Sequence, residues 1–139
     1  MKRKITISAV LFLLSINFSF AQWAPDLRLT YSIANSITAP NRCIAADGNT
    51  VHAVWHDDRD GNREIYYKLS SDGGNNWFAD TRLTNNTSSS SYPCIAVSGS
   101  NVHVVWQDNR DGNTEIYYKH SSNGGINWGA DTRLPNNIN

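Results

Sequence analysis

From residue 43 onward the chain alternates apolar and polar side chains with a period of two, the mark of extended strands. Over Thr50–His56, Val51, Ala53 and Trp55 fall on one face; over Arg63–Leu69, Ile65, Tyr67 and Leu69 share a face. The opposite faces carry His52 with Val54, and Tyr66 with the stem of Lys68. Neither face is freely polar, as befits a sheet covered on both sides. The pattern predicts four strands: Cys43–Ala46, Thr50–His56, Arg63–Leu69 and Trp77–Thr84. Asp47-Gly48-Asn49 separates the first two as a hairpin turn that tolerates positive φ. No amphipathic helical period occurs after residue 21.

The pattern then recurs. Cys43–Asn86 aligns with Cys94–Asn137 without a gap, with 31 identities in 44 positions and every pair 51 residues apart. The second set of strands is predicted at Cys94–Val97, Asn101–Gln107, Thr114–His120 and Trp128–Leu134. A partial copy precedes both, since Trp23 to Thr30 reads like Trp77 to Thr84. Repeats of roughly 40–50 residues made of short strands are propeller blades; helical repeats are usually shorter. The expected fold is all-β: four-stranded antiparallel β-propeller blades, two of them complete. Residues 22–41 would be the last strand of a preceding blade with its linker, 42–92 the first full repeat and 93–139 the second. Propellers close with about 4–8 blades. The expectation is thus an incomplete propeller, the N-terminal part of a longer protein, with a flat face open to further blades or to self-association.

Residues 1–21 follow another rule. Lys2, Arg3 and Lys4 precede an apolar stretch from Ile5 to Phe20, and Ser19-Phe20-Ala21 offers small residues where a signal peptidase reads. This predicts a cleaved secretory signal peptide and a secreted or cell-envelope protein, periplasmic or extracellular. Ser8, Ser15 and Asn17 interrupt the stretch and make it a poor membrane anchor. Without that basic cluster the remaining nine cations face twelve acidic side chains, an excess of about three negative charges. A mildly acidic body argues against nucleic acid as a partner, because phosphate binding needs a basic patch. Two cysteines entering an oxidising compartment suggest a disulfide. Cys43 and Cys94, however, hold equivalent places in successive repeats, where neighbouring sheets lie about 10 Å apart. A disulfide needs Cα atoms within about 7 Å, so both are expected to be free.

Between the third and fourth strands lie Ser70-Ser71-Asp72-Gly73-Gly74-Asn75-Asn76-Trp77 and Ser121-Ser122-Asn123-Gly124-Gly125-Ile126-Asn127-Trp128. Both fit Ser-x-Asp-x-Gly-x-x-Trp, the second with Asn for Asp. Here the chain resembles the Asp-box family, the bacterial neuraminidase repeat, in which the box forms the turn between the third and fourth strands of a propeller blade. Local physics agrees with a structural role for Ser70, Asp72, Gly74 and Trp77, and for Ser121, Asn123, Gly125 and Trp128. The Asp or Asn oxygen accepts amide hydrogens of its own turn, the glycines permit positive φ, and each indole N–H needs one partner. The resemblance implies boxes that lie away from any active site.

Sialidases are the best-known enzymes of that family. The resemblance implies, for an enzyme, three arginines on the sugar carboxylate, a Tyr–Glu nucleophile pair and an Asp acid/base. Such a site is built once, from different residues on different blades, whereas residues recurring at one place in every blade hold the blade together. Arg28, Arg82 and Arg133 recur, as do Arg59 with Arg110, Asp60 with Asp111, Glu64 with Glu115, and the paired tyrosines. By this test they are scaffold, and no catalytic residue is assigned. What does not recur is Arg42, His56, Asp58, Arg63 and His120. The loop Asp58-x-Asp60-Gly61-Asn62 with Glu64 resembles part of a calcium loop, and an Asp–Arg turn with a positive-φ glycine explains it equally well. No other cofactor is expected. His52 and His56, about 13 Å apart along one strand face, cannot share a zinc ion. The functional expectation is a secreted, sialidase-like repeat module acting as scaffold or binding a glycan or cell-surface protein. The alternative is the N-terminal portion of an exo-α-sialidase whose catalytic residues lie on other blades.

Overall fold

The structure is a computed structural model that describes residues 25–40 and 42–134. The segment 1–21, expected to be a signal peptide, and the start of the partial copy at Trp23 lie outside the described residues. Among the described residues nine strands follow one another: β1 Ser36–Ile37, β2 Ile44–Asp47, β3 Thr50–Asp57, β4 Glu64–Ser70, β5 Thr81–Arg82, β6 Ser90–Ser98, β7 Asn101–Asp108, β8 Glu115–Ser121 and β9 Thr132–Arg133. The described residues contain no helix, and hence none long and apolar enough to cross a membrane.

The strands form two antiparallel sheets, one per repeat. The second runs β6-β7-β8-β9 in chain order. The first has the order β1-β3-β4-β5, with β2 also paired to β3, so β1 and β2 together make one interrupted edge. Two-residue loops join β2 to β3 and β6 to β7, each with a glycine at positive φ first: Gly48 at 58° and Gly99 at 56°. That is the turn whose twist matches the flanking strands.

Two boundaries correct the sequence prediction. The fourth strand, expected over Trp77–Thr84 and Trp128–Leu134, is paired only at Thr81–Arg82 and Thr132–Arg133. Upstream of those pairs the chain is still turning out of the box, and Phe78 N–H and Gly129 N–H each reach back to a single carbonyl, Leu69 and His120. The first strand extends further upstream than alternation suggested. Ser90 and Ser91 pair with Asp108 and Gln107, as Ser36 and Ile37 pair with Asp57 and His56. Serine-rich and proline-containing segments carry no alternation, so the pairing is set by the partner strand. Ser36 and Ser90 are equivalent at a spacing of 54, not 51, so the first repeat has three extra residues between β1 and β2. The second repeat crosses the same place with a bulge between Ser91 and Cys94, where Tyr92 takes φ 54°.

The sheets pack with opposite faces. Val54, Ile65, Tyr67 and Leu83 of the first meet Ile95, Val102, Val104, Trp106 and Tyr117 of the second in one core. Val102, Val104 and Trp106 are the equivalents of Val51, Ala53 and Trp55, which lie on the other face of β3. The first sheet's front thus meets the second sheet's back, a head-to-tail arrangement. Two lysines mark its repetition. Lys119 donates to the Leu83 carbonyl across the interface and pairs with Asp131 at 2.9 Å. Lys68 donates to the Leu29 carbonyl at 2.7 Å and pairs with Asp80 at 2.8 Å. Residues around Leu29 therefore lie against the first sheet as those around Leu83 lie against the second.

Cys43 and Cys94 are both free. The reason offered from sequence needs correction, because the inner edges touch: Ile95 N–H donates to the Arg42 carbonyl at 2.9 Å. Alternation separates the thiols instead. Cys43 packs against the core between the sheets, whereas Cys94 pairs with Val105 on the second sheet's far face.

Candidate functional site

The repeated charged residues are consumed by two copies of one network. Asp108 is fully buried and accepts from Trp106 Nε1 (3.0 Å), Ser90 Oγ (2.8 Å) and Arg110 Nη2 (2.6 Å). Asp57 accepts from Trp55 Nε1 (3.2 Å), Ser36 Oγ (2.6 Å) and Arg59 Nη2 (2.6 Å). Burial alone would raise the Asp108 carboxyl, but hydrogen bonds from Arg110, Trp106 and Ser90 outweigh it and hold it at about 2. Asp57 is depressed by the same balance, with Arg59 and Ser36 foremost among its donors. The second amino group of each arginine turns to the residue just before the last strand, Arg59 to Asp80 and Arg110 to Asp131, both at 2.9 Å. Each guanidinium also lies 4.2 Å from a tyrosine ring centre, Tyr66 or Tyr117.

A second repeated group closes the outer side of each sheet. Arg82 pairs with Asp60 (3.1 Å) and Glu64 (3.0 Å); Arg133 pairs with Asp111 (3.5 Å) and Glu115 (2.6 Å). These arginines do not converge on a shared point. Tyr66 donates to Asp60 and Tyr117 to Asp111. Burial, and next that hydrogen bond, push both phenols up to about 12, so they are held protonated and are not poised as nucleophiles. The carboxylates of the Asp58–Glu64 loop are committed in the same way. Asp58 accepts from Asn35, Asp60 from Tyr66, and Glu64 from Arg82, Thr84 and Asn86. Among the described residues no group of three or more His, Cys, Asp or Glu is placed to hold a metal ion.

The boxes form the β4–β5 and β8–β9 turns. Ser70 is buried and its Oγ accepts from Gly74 N–H at 2.9 Å. Asp72 takes Asn76 N–H at 2.8 Å and Asn76 Nδ2 at 2.7 Å, and Trp77 Nε1 donates to the Gly74 carbonyl at 2.9 Å. In the second box Ser121 takes Gly125 N–H (2.9 Å), Asn123 takes Asn127 N–H (2.9 Å), and Trp128 Nε1 donates to the Gly125 carbonyl (3.1 Å). Asn123 keeps the backbone bond and the bond from the box serine, Ser121, and lacks only the side-chain bond that Asp72 takes from Asn76.

The opposite end of the sheets brings together two of the residues that do not recur, Arg63 and His56. There the loop before β4, the bulge in β6 and the end of β7 surround a polar cavity of about 330 Å³ whose lining includes Arg63, Tyr92, Gln107, Thr114 and the carboxylate residue Asp108. Arg63 is exposed and, unlike Arg59, Arg82, Arg110 and Arg133, takes part in no ion pair. Behind Tyr92 lies His56, 3% exposed, its ring 5.6 Å from the tyrosine ring edge-to-face and its Nδ1 without a hydrogen-bond partner. Burial, and next the nearby Arg63 charge, push His56 below the ordinary histidine range. Sequence reasoning singled out Arg63 and His56 but missed Tyr92 and Gln107. The signal for Tyr92 was the lost register upstream of Cys94. Of the other non-recurrent residues, Asp58 is tied to Asn35, while Arg42 and His120 stand apart from this cavity.

Comparison with protein-family models gives no match, and neither curated proteins nor solved structures give a significant one.

Proposed function

We propose that the chain is a secreted, sialidase-like Asp-box repeat module, a non-catalytic binding or scaffold part of a longer β-propeller protein, with a glycan or cell-surface protein as partner. The two sheets would be consecutive blades, and the segment around Leu29 the last strand of the blade before them. The repeated Lys68–Leu29 and Lys119–Leu83 contacts support that reading, because one head-to-tail step describes both. Secretion rests on the Lys2–Ala21 pattern.

The observation that carries the non-catalytic reading is the separation of recurrent from non-recurrent side chains. Recurrent carboxylates and arginines neutralise one another inside each sheet, while the unpaired Arg63 opens onto a cavity with hydroxyl and amide groups. The one carboxylate in the lining, Asp108, is already paired with Arg110, so the Arg63 guanidinium beside hydroxyl and amide groups suits a hydroxylated or anionic ligand, and no nucleophile–base pair stands beside it. The purified chain is expected to bind members of a glycan array, with Arg63→Ala weakening that binding, and to release no sialic acid from a fluorogenic sialoside. Turnover that disappears with Arg63→Ala would replace this reading by the alternative, an exo-α-sialidase. Binding unchanged by Arg63→Ala would move the partner to another surface.

A further inference from the structure

The two boxes differ at one position in a way that changes their chemistry. Asp72-Gly73 of the first becomes Asn123-Gly124 in the second, and this is the one Asn-Gly pair in the sequence. Such a pair is open to spontaneous deamidation, because glycine has no side chain to shield its amide nitrogen from the asparagine before it. Asn123 is exposed, so solvent water reaches it. The fold nevertheless holds both reacting groups in other bonds. Gly124 N–H donates to the Ser100 carbonyl at 2.8 Å. Asn123 Oδ1 accepts Asn127 N–H at 2.9 Å and the Ser121 hydroxyl at 3.0 Å. The same turn rests on the first sheet, where Trp128 meets Tyr67 edge-on at 5.0 Å.

We propose that Asn123–Gly124 is a self-modification site whose reaction is gated by the fold. The Gly124 nitrogen bonds to Asn123 Cγ, the Cγ–Nδ2 bond breaks, and Nδ2 leaves as ammonia with the proton that the Gly124 nitrogen gives up. Water then adds to either carbonyl of the succinimide ring so formed. Opening at Cγ leaves aspartate; opening at the Asn123 main-chain carbonyl leaves isoaspartate, in which the chain runs on through the former side chain. The attack requires the Gly124–Ser100 bond and both bonds to Asn123 Oδ1 to be open together, so the rate follows the fraction of molecules in which the turn is locally open. The two products act in opposite directions. Aspartate makes the second box like the first, where Asp72 takes Asn76 Nδ2 at 2.7 Å in addition to the N–H, and Asn127 occupies the place of Asn76. Isoaspartate adds a methylene to the main chain between Ser121 and Gly125. That breaks the Ser121 Oγ bond to Gly125 N–H and lifts the turn off Tyr67, against which Gly125 is pressed. The site depends on the box turn alone and not on the binding-module reading above.

The purified chain, incubated in mildly alkaline buffer with and without guanidinium chloride and then mapped by peptide mass spectrometry, tests this. Asn123 is expected to convert at least tenfold faster in the denaturant than in the folded chain, because opening no longer limits the reaction. Asn75, Asn76 and Asn127, none of them followed by glycine, serve as slow internal references. Ser121→Ala removes one bond from Asn123 Oδ1 and the acceptor of Gly125 N–H, and should speed conversion without denaturant. Gly124→Ala should slow conversion in denaturant. Asn123→Asp should keep the circular dichroism spectrum and unfold at a higher denaturant concentration than the unmodified chain, and the isolated isoaspartyl form at a lower one. Equal rates at Asn123 with and without denaturant would overturn the gating. A rate in denaturant no greater than that of Asn75 would overturn the site itself, and an Asn123→Asp chain less stable than the unmodified one would overturn the restored box.

Discussion

Asp108 shows how much a single residue can do when its hydrogen bonds run ahead of its burial. Its carboxyl is held at about 2 in the folded chain, against about 3.9 for an unfolded aspartate. The folded pKa is depressed, so the stabilisation is complete above the unfolded value and is lost as pH falls through the folded one. The difference amounts to roughly 2–3 kcal/mol at neutral pH, and Asp57 contributes in the same direction. Urea melts between pH 7 and pH 2 should show stability falling steeply below about pH 4. Asp108→Asn should be less stable at pH 7 and should flatten that acid limb; a limb of unchanged steepness would mean the carboxylate is not held as described. The box serine is a second case. Ser70 Oγ is buried and holds Gly74 N–H, so Ser70→Ala should cost about 1–2 kcal/mol in a denaturant melt.

Among the elements, the two box turns are nearly the same in sequence yet differ in what surrounds them. A methyl added at Gly74 would meet Trp77 at 3.8 Å, an ordinary contact. At Gly125 it would fall 1.9 Å from the Tyr67 hydroxyl, because that turn is pressed onto the first sheet. Tyr67 cannot swing clear: it is 1% exposed, its hydroxyl lies 2.7 Å from His52 Nδ1, and its ring meets Trp128 edge-on at 5.0 Å. Both glycines sit at positive φ, 91° and 85°, and share that part of the cost. Gly74→Ala should therefore cost about 1 kcal/mol and Gly125→Ala about 2–3 kcal/mol more, from overpacking. Equal melting temperatures for the two variants would show that the second turn does not rest on Tyr67. The fourth strand obeys the same local logic. The box directs the chain so that only two residues regain the ladder, and Asp80 and Asp131 use the intervening stretch to reach Arg59 and Arg110.

At the scale of the molecule, one hydrophobic core is shared between two sheets that each belong to a single repeat. Neither sheet buries its apolar face alone, so the repeats are expected to unfold together. Fluorescence and far-ultraviolet circular dichroism should give coincident denaturant transitions. Leu83→Ala, which opens the core at 4% exposure, should move both probes by the same 2–4 kcal/mol. Two separated transitions would mean that each sheet is its own folding unit. Among the described residues, nothing in the head-to-tail arrangement covers the second sheet's far face. Half-buried rings of His103, Tyr118 and His120 stand there in place of an apolar core.

The sequence by itself determined the strand class, the four central strands, the hairpin and box turns, and the division of the chain into repeats. Each depends on neighbours a few residues apart: alternation along β3, β4, β7 and β8, glycines where φ must be positive, and a 51-residue register that needs no coordinates. It also separated recurrent from non-recurrent charges, and Arg59, Asp60, Glu64 and Arg82 with their equivalents 51 residues on are bound into closed networks. Only the tertiary structure decided the rest. The first strand's upstream pairing at Ser36 and Ser90, and the bulge at Tyr92, follow from a partner strand and not from any local preference. Gathering Arg63, Tyr92 and Gln107 around one cavity joins residues 44 positions apart across two sheets. The unequal roles of Gly74 and Gly125, or of Leu69 and His120, arise because identical repeats occupy non-identical places, one covered by its successor and the other not. A periodic sequence encodes the unit and its spacing. Which face of each unit is buried depends on the neighbours it packs against, and that is a property of the assembled fold.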